Sequence, residues 1–93
     1  MRESEIERYL VREVKRKGGL AMKFVSPGLR GVPDRLVIFP GGIHVFVELK
    51  APGEKPSKQQ QYRINQLIKL GARVWVIDTK YGVDALIREM RVD

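Results

Sequence analysis

The chain has no cysteine, which excludes disulfides and a thiolate zinc site and fits a reducing compartment. It has one histidine, His44, and no Ser-His-Asp or Cys-His set, so a covalent catalytic route is not expected. Long apolar runs are missing too. The longest span about five residues, where a membrane helix needs roughly 20. Residues 1–17 alternate charge with aliphatics, unlike the uncharged apolar segment of a secretory signal. There are no repeats, no low-complexity tracts and no linkers. Ninety-three residues leave little room for a second core. The expectation is one soluble intracellular domain over 1–93, away from any membrane.

Acidic residues are scarce as well, 11 against 18 Lys and Arg, for a formal net charge of +7. The sequence pI is near 10.1. That balance attracts polyanions, and nucleic acid is the commonest polyanion inside a cell. The competing reading is a soluble protein that is merely basic.

What is present patterns into seven elements. In "SEIERYLVREVKRKGG", Ile6, Leu10 and Val14 recur every four residues with Val11 beside them, and Gly18-Gly19 close the segment. This predicts an amphipathic helix from about Ser4 to Lys17. "LAMKFV", Leu20–Val25, alternates as a strand, and "SPGLRG" is a loop. Leu36–Phe39 and Ile43–Leu49 flank Pro40-Gly41-Gly42, a hairpin signal. "APGEKP" is a loop. A helix follows over 58–70 with Ile64, Leu67 and Ile68 as its stripe, Ser57 as N-cap and Gly71 as terminator. "RVWVID" predicts a short buried strand with Trp75 in the core, and "GVDALIREM" a helix with Val83, Leu86, Ile87 and Met90 inward. The order is α-β-β-β-α-β-α. Its β-α-β unit calls for a parallel pair with a right-handed crossover, giving an α/β fold with a mixed four-stranded sheet flanked by helices.

The hairpin carries charge where a small core should have none. Ile43, Val45, Val47 and Leu49 share one face of their strand, and His44, Phe46, Glu48 and Lys50 the other. If Pro40–Gly42 form the loop, Phe39 faces Ile43, and equal steps inward bring Asp34 opposite Glu48. Opposed residues have Cβ atoms about 4.5–5.5 Å apart, so the two carboxylates repel. A divalent cation is the natural compensation, and few oxygen ligands with retained waters suit Mg²⁺.

At 100° per residue Glu7 falls inside the apolar stripe of the first helix, where a carboxylate is costly unless paired or bound to metal. Ser4-x-x-Glu7 also fits a capping box, and Glu3, one turn earlier on the same face, is a second acidic candidate. Gln60 is similarly double, on the Ile64–Leu67 face and in a Ser57-x-x-Gln60 box. His44 reads as a packed residue. Lys15-Arg16-Lys17 suits the end of a helix dipole or a phosphate contact. Lys23, Arg30, Arg35, Lys55, Lys58 and Arg63 flank the acidic cluster in sequence, and some of them are expected to hold phosphates.

Pro33-Asp34, thirteen residues, then Glu48-Leu49-Lys50 resembles the PD-(D/E)XK nuclease signature. "GVPDR" (31–35), "FVELKAPG" (46–53), "SKQQ" (57–60) and "ESEIE" (3–7) before a helix ending in Gly-Gly are similar to the VRR-NUC branch. The resemblance covers essentially the whole chain and implies a restriction-endonuclease-like core and a single VRR-NUC domain. It implies that Asp34, Glu48 and the backbone carbonyl of Leu49 ligate Mg²⁺ or Mn²⁺, with Glu7 supporting the metal. It further implies that Lys50 polarises the attacking water and Gln60 orients the cluster. Lys23, Arg30, Arg35, Lys55 and Lys58 would then contact DNA. The small size resembles archaeal Holliday junction resolvases, which implies a homodimer cutting branched, four-way DNA in repair, encoded by a phage or bacterium. Two alternatives stand beside it. One is a flap, nicking or restriction-like nuclease of a phage replication system. The other is a non-catalytic basic nucleic-acid-binding module.

Overall fold

A computed structural model describes residues 1–90. In chain order the elements are α1 (Glu3–Arg16), β1 (Leu20–Lys23), β2 (Arg35–Phe39), β3 (Ile43–Leu49), α2 (Lys58–Lys69), β4 (Val74–Ile77) and α3 (Lys80–Met90). Gly41 and Gly42 both adopt positive φ, 93° and 78°, a conformation open to glycine at no steric cost. The chain therefore reverses within three residues, and Phe39 pairs with Ile43. The sheet order is β1-β2-β3-β4, antiparallel except for the parallel β3–β4 pair. This is the mixed sheet and the element order expected from the sequence.

Alternation sorts the strands into two unlike faces. Val45, Val47 and Leu49 of β3, Val37 and Phe39 of β2 and Ile77 of β4 are buried together with Ile6, Leu10 and Val14 of α1 and Val83, Leu86, Ile87 and Met90 of α3. The Tyr9 hydroxyl donates to Asp84 Oδ1 at 2.7 Å and ties α1 to α3 above this core. On the opposite face α2 contributes the buried Ile64, outside the main cluster, and Phe24 packs edge-on against Phe46 with ring centres 5.3 Å apart.

Several expectations need correction here. α1 begins a residue early, with Arg2 as its N-cap, and the Ser4–Glu7 box does not form. The Glu5 carboxylate instead accepts from the Arg2 N–H at 3.1 Å. Ile68 is 51% exposed rather than part of a buried stripe, because α2 lies over one edge of the sheet and shows the core a single row. Val76 is 43% exposed for the same reason, and Trp75 packs only partly against the core. β4 is an edge strand, not a buried one. β1 stops at Lys23, two residues short.

Candidate metal centre

The register Arg35↔Val47, continued by one residue, puts Asp34 opposite Glu48, as the hairpin arithmetic required. Both project from the face opposite the main core. Phe24 N–H donates to the Asp34 carbonyl at 2.9 Å, closing the base of the 24–34 loop on this residue. The Asp34 side chain is fixed from the other direction: its Oδ2 accepts from Leu49 N–H at 2.8 Å. One step further in the same register, the fully buried Pro33 comes opposite Leu49. Proline has no N–H, so the Leu49 carbonyl receives no ladder bond from that position.

Glu48 is 1% exposed, and its Oε1 has no hydrogen-bond partner among the described residues. Its Oε2 lies 3.5 Å from Lys50 Nζ. Burial pushes the Glu48 carboxyl up to about 7; the Asp34 charge pushes the same way and Lys50 opposes both. The Glu3 carboxylate of α1 adds a smaller push in the same direction as Asp34. Glu3 is itself raised, first by partial desolvation and then by Asp34.

An unpartnered buried carboxylate oxygen beside a second carboxylate is costly unless a cation meets it. The described residues bring no three His, Cys, Asp or Glu side chains together as a metal cage. Two carboxylates and a free backbone carbonyl are instead the donor set of a hard cation that keeps several waters, as Mg²⁺ does. The residues fit such an ion.

Glu7 and Arg35, expected to serve metal and phosphate, are given to each other. Arg35 Nε donates to Glu7 Oε2 at 3.0 Å, and Arg35 Nη1 donates to the Ala21 carbonyl at 3.0 Å. The signal was in the alternation. Arg35 takes the face opposite Asp34, towards α1, and Glu7 lies in the α1 stripe that covers that face. Gln60 is a cap: its Oε1 accepts from Ser57 N–H at 2.8 Å, while Ser57 Oγ accepts from Gln60 N–H at 3.2 Å. His44 is exposed at the hairpin turn, its Nδ1 3.1 Å from the Gly42 carbonyl. Lys23 and Arg30 are exposed at either end of the sheet-to-loop transition. Lys55 and Lys58 rim a cleft of about 530 Å³ beside the start of α2. Gly31 holds the loop that carries Arg30 onto α2. A Cβ there would lie 2.7 Å from the Gln59 carbonyl oxygen, and the Arg30 carbonyl accepts from Arg63 Nε at 2.9 Å.

No family model matches the chain. It is 55% identical over 80 residues to "Putative nuclease p44" of Acyrthosiphon pisum secondary endosymbiont phage 1, covering 86% of each chain. It is also similar to the solved structure of a VRR_NUC domain, with a TM-score of 0.88 and 34% identity over 96% of this chain and 97% of that one. Identity at that level over nearly both whole chains, with the Pro33-Asp34 and Glu48-Leu49-Lys50 segments meeting at one end of the β2–β3 ladder, places the chain in the VRR-NUC family of nuclease domains.

Proposed function

We infer that this protein is a divalent-metal-dependent DNA endonuclease whose catalytic cluster is Asp34, Glu48, Lys50 and the Leu49 carbonyl. One observation carries the reading: Glu48 is buried next to Asp34, with one oxygen unpartnered among the described residues. Asp34, Glu48 and the Leu49 carbonyl would hold Mg²⁺ or Mn²⁺. When bound, such an ion acidifies a water and neutralises charge on phosphoryl oxygens. The chain's own groups do the rest. Leu49 N–H fixes the Asp34 carboxylate, so it needs no reorganisation on binding. Lys50, 3.5 Å from Glu48, keeps an ammonium at the rim, where it can hydrogen-bond the attacking water and a non-bridging phosphate oxygen. Glu3 takes the supporting place first given to Glu7, because Glu7 is paired with Arg35 on the other face of the sheet while the Glu3 charge adds to the rise of the Glu48 carboxyl.

The substrate reading is branched DNA, four-way junctions among them, cut by a homodimer in a bacterial or phage-infected cytoplasm. No helix among the described residues is long and apolar enough to cross a membrane. The sheet face away from α1 and α3 leaves Leu20 58% exposed, with Met22 beside it partly exposed, apolar surface available to a second copy. Labelled duplex, nicked, flap and four-way DNA incubated with Mg²⁺ or Mn²⁺ test the inference. Metal-dependent cleavage that Asp34→Asn abolishes without loss of DNA binding is the expected result. Inactivity on all four with both metals would reduce the protein to a basic binding module. Preference for nicked or flap DNA would move it to the replication-nuclease alternative.

A further inference from the structure

A row of cations on α1 is left over once the metal centre is accounted for. Arg8, Arg12 and Lys15 follow one another at i, i+4 and i+7, which puts them on one side of the helix. With Glu7, Val11 and Arg35 they line a groove of about 580 Å³. The floor is electrically neutral, because Arg35 and Glu7 pair at 3.0 Å. The rim is not. Glu13 holds Arg16 at 3.0 Å and reaches Arg12 only at 3.4 Å. Among the described residues Arg8 and Lys15 have no acidic partner at salt-bridge distance. Arg12 is positioned by stacking, its guanidinium 5.2 Å from the Tyr9 ring centre. Like charges at i,i+4 destabilise a helix, and an apposed polyanion relieves that cost.

The groove lies on the other face of the sheet from the metal centre but at the same end of the β2–β3 ladder. Glu7 lies one turn beyond Glu3, and Arg35 follows Asp34 directly. From Arg8 to Lys15 the helix rises about 10 Å, which spans about three phosphates of one strand at 3.4 Å of axial rise each. We propose that this groove carries the backbone of a duplex DNA arm flanking the cleaved bond, with Arg8, Arg12 and Lys15 neutralising three successive phosphates. The proposal rests on the DNA reading above, but its test needs no catalysis.

Binding of a fluorescein-labelled 30-base-pair duplex is followed by anisotropy in EDTA between 50 and 200 mM NaCl. Three proteins are compared: wild type, the triple variant Arg8→Ala, Arg12→Ala and Lys15→Ala, and a charge-matched control, Lys69→Ala, Arg73→Ala and Arg88→Ala. The groove triple lowers the slope of log K against log salt by about 2.7 and weakens binding at least tenfold at 100 mM, and the control changes the slope by less than about one. The single variant Arg8→Gln, an exposed change that leaves the fold intact, lowers the slope by about 0.9. Equal losses in both triples, a groove triple that binds like wild type, or a wild type that does not bind would overturn the proposal. Cleavage with Mg²⁺ is scored separately. A groove triple that shows the slope difference beside a wild type that cleaves nothing keeps the groove and loses the nuclease reading. A wild type that cleaves while both triples bind alike does the reverse.

Discussion

Glu7 with Arg35, and Glu48 with Lys50, are both carboxylates set against a cation at one end of the β2–β3 ladder, on opposite faces of the sheet. The first pair meets at 3.0 Å through a guanidinium that also serves the Ala21 carbonyl, and both side chains keep some contact with water. The second meets at 3.5 Å, its carboxylate is buried, and one oxygen is left without a partner. A satisfied pair welds α1 to the sheet. An unsatisfied one stores a demand for positive charge, and in metal-free protein that demand is a liability. The Glu7 side is closed chemistry, and the Glu48 side leaves one carboxylate oxygen open among the described residues, the oxygen that the proposed cation would meet.

The largest effect breaks the open side outright. Glu48→Gln keeps the volume and removes the charge, and cleavage of DNA with saturating Mg²⁺ falls by at least about 10³-fold, some 4 kcal/mol of transition-state stabilisation. Single-turnover cleavage measures it, and a variant within tenfold of wild type would mean that Glu48 holds no catalytic ion.

The same substitution sharpens the comparison through stability. The folded-state pKa of Glu48, about 7, lies above its ordinary 4.5, so the folded protein keeps this proton longer than the unfolded chain. Below pH 4.5 both states are protonated and nothing is lost. Between 4.5 and about 7 the unfolded chain binds fewer protons than the folded protein, so this group's contribution falls as pH rises. Above about 7 the loss is complete, and it amounts to about 3 kcal/mol in metal-free protein. Glu48→Gln removes that pH-dependent loss, so the variant overtakes wild type in urea unfolding at pH 8 with EDTA but not at pH 4.5. Mg²⁺ narrows the gap at pH 8, because ion binding favours the folded, ionised form. Parallel pH profiles for the two proteins would show that Glu48 ionises normally.

Breaking the closed side has a smaller and different signature. Arg35→Met strands Glu7 and the Ala21 carbonyl, and a partly hydrated pair of this kind is worth about 1–2 kcal/mol, or a Tm lower by roughly 5–10 °C. The loss is nearly independent of Mg²⁺, unlike that on the Glu48 side. A Tm difference that Mg²⁺ abolishes would place Arg35 in the metal centre after all.

How much of this was legible beforehand follows from period and register. The element order, the mixed sheet and the meeting of Asp34 with Glu48 came from counting along Leu36–Phe39 and Ile43–Leu49 around two glycines, because a three-residue turn leaves one pairing. The inward residues of α3 were readable for the same reason, a clean 3.6-residue repeat against one partner. Ile68 and Val76 misled because their apolar character says nothing about whether a neighbour exists; the edge position of β4 and the offset of α2 decide that. The exchange of Glu7 for Glu3 is subtler. Both lie on one face of α1, a turn apart, and only the depth at which the helix begins, set by the Arg2 cap, puts Glu3 near Asp34 while Glu7 meets Arg35.

That exchange supplies the finest cut between the two sides. The Glu3 charge bears on the Glu48 carboxyl without a hydrogen bond between them, so on the proposed metal reading Glu3→Gln leaves the fold alone and weakens ion capture. The Mg²⁺ concentration for half-maximal cleavage rises about tenfold, the lower end of what outer carboxylates contribute to metal sites. Glu7→Gln does the opposite: thermal stability drops because Arg35 loses its ionic partner, and the Mg²⁺ requirement stays where it was. Titrating both variants with Mg²⁺ under single-turnover conditions, alongside melts in EDTA, gives four numbers that must cross. If Glu7→Gln instead raises the Mg²⁺ requirement and Glu3→Gln does not, the two faces of the sheet are not chemically separate, and the Arg35 pair belongs to the catalytic machinery it was set against.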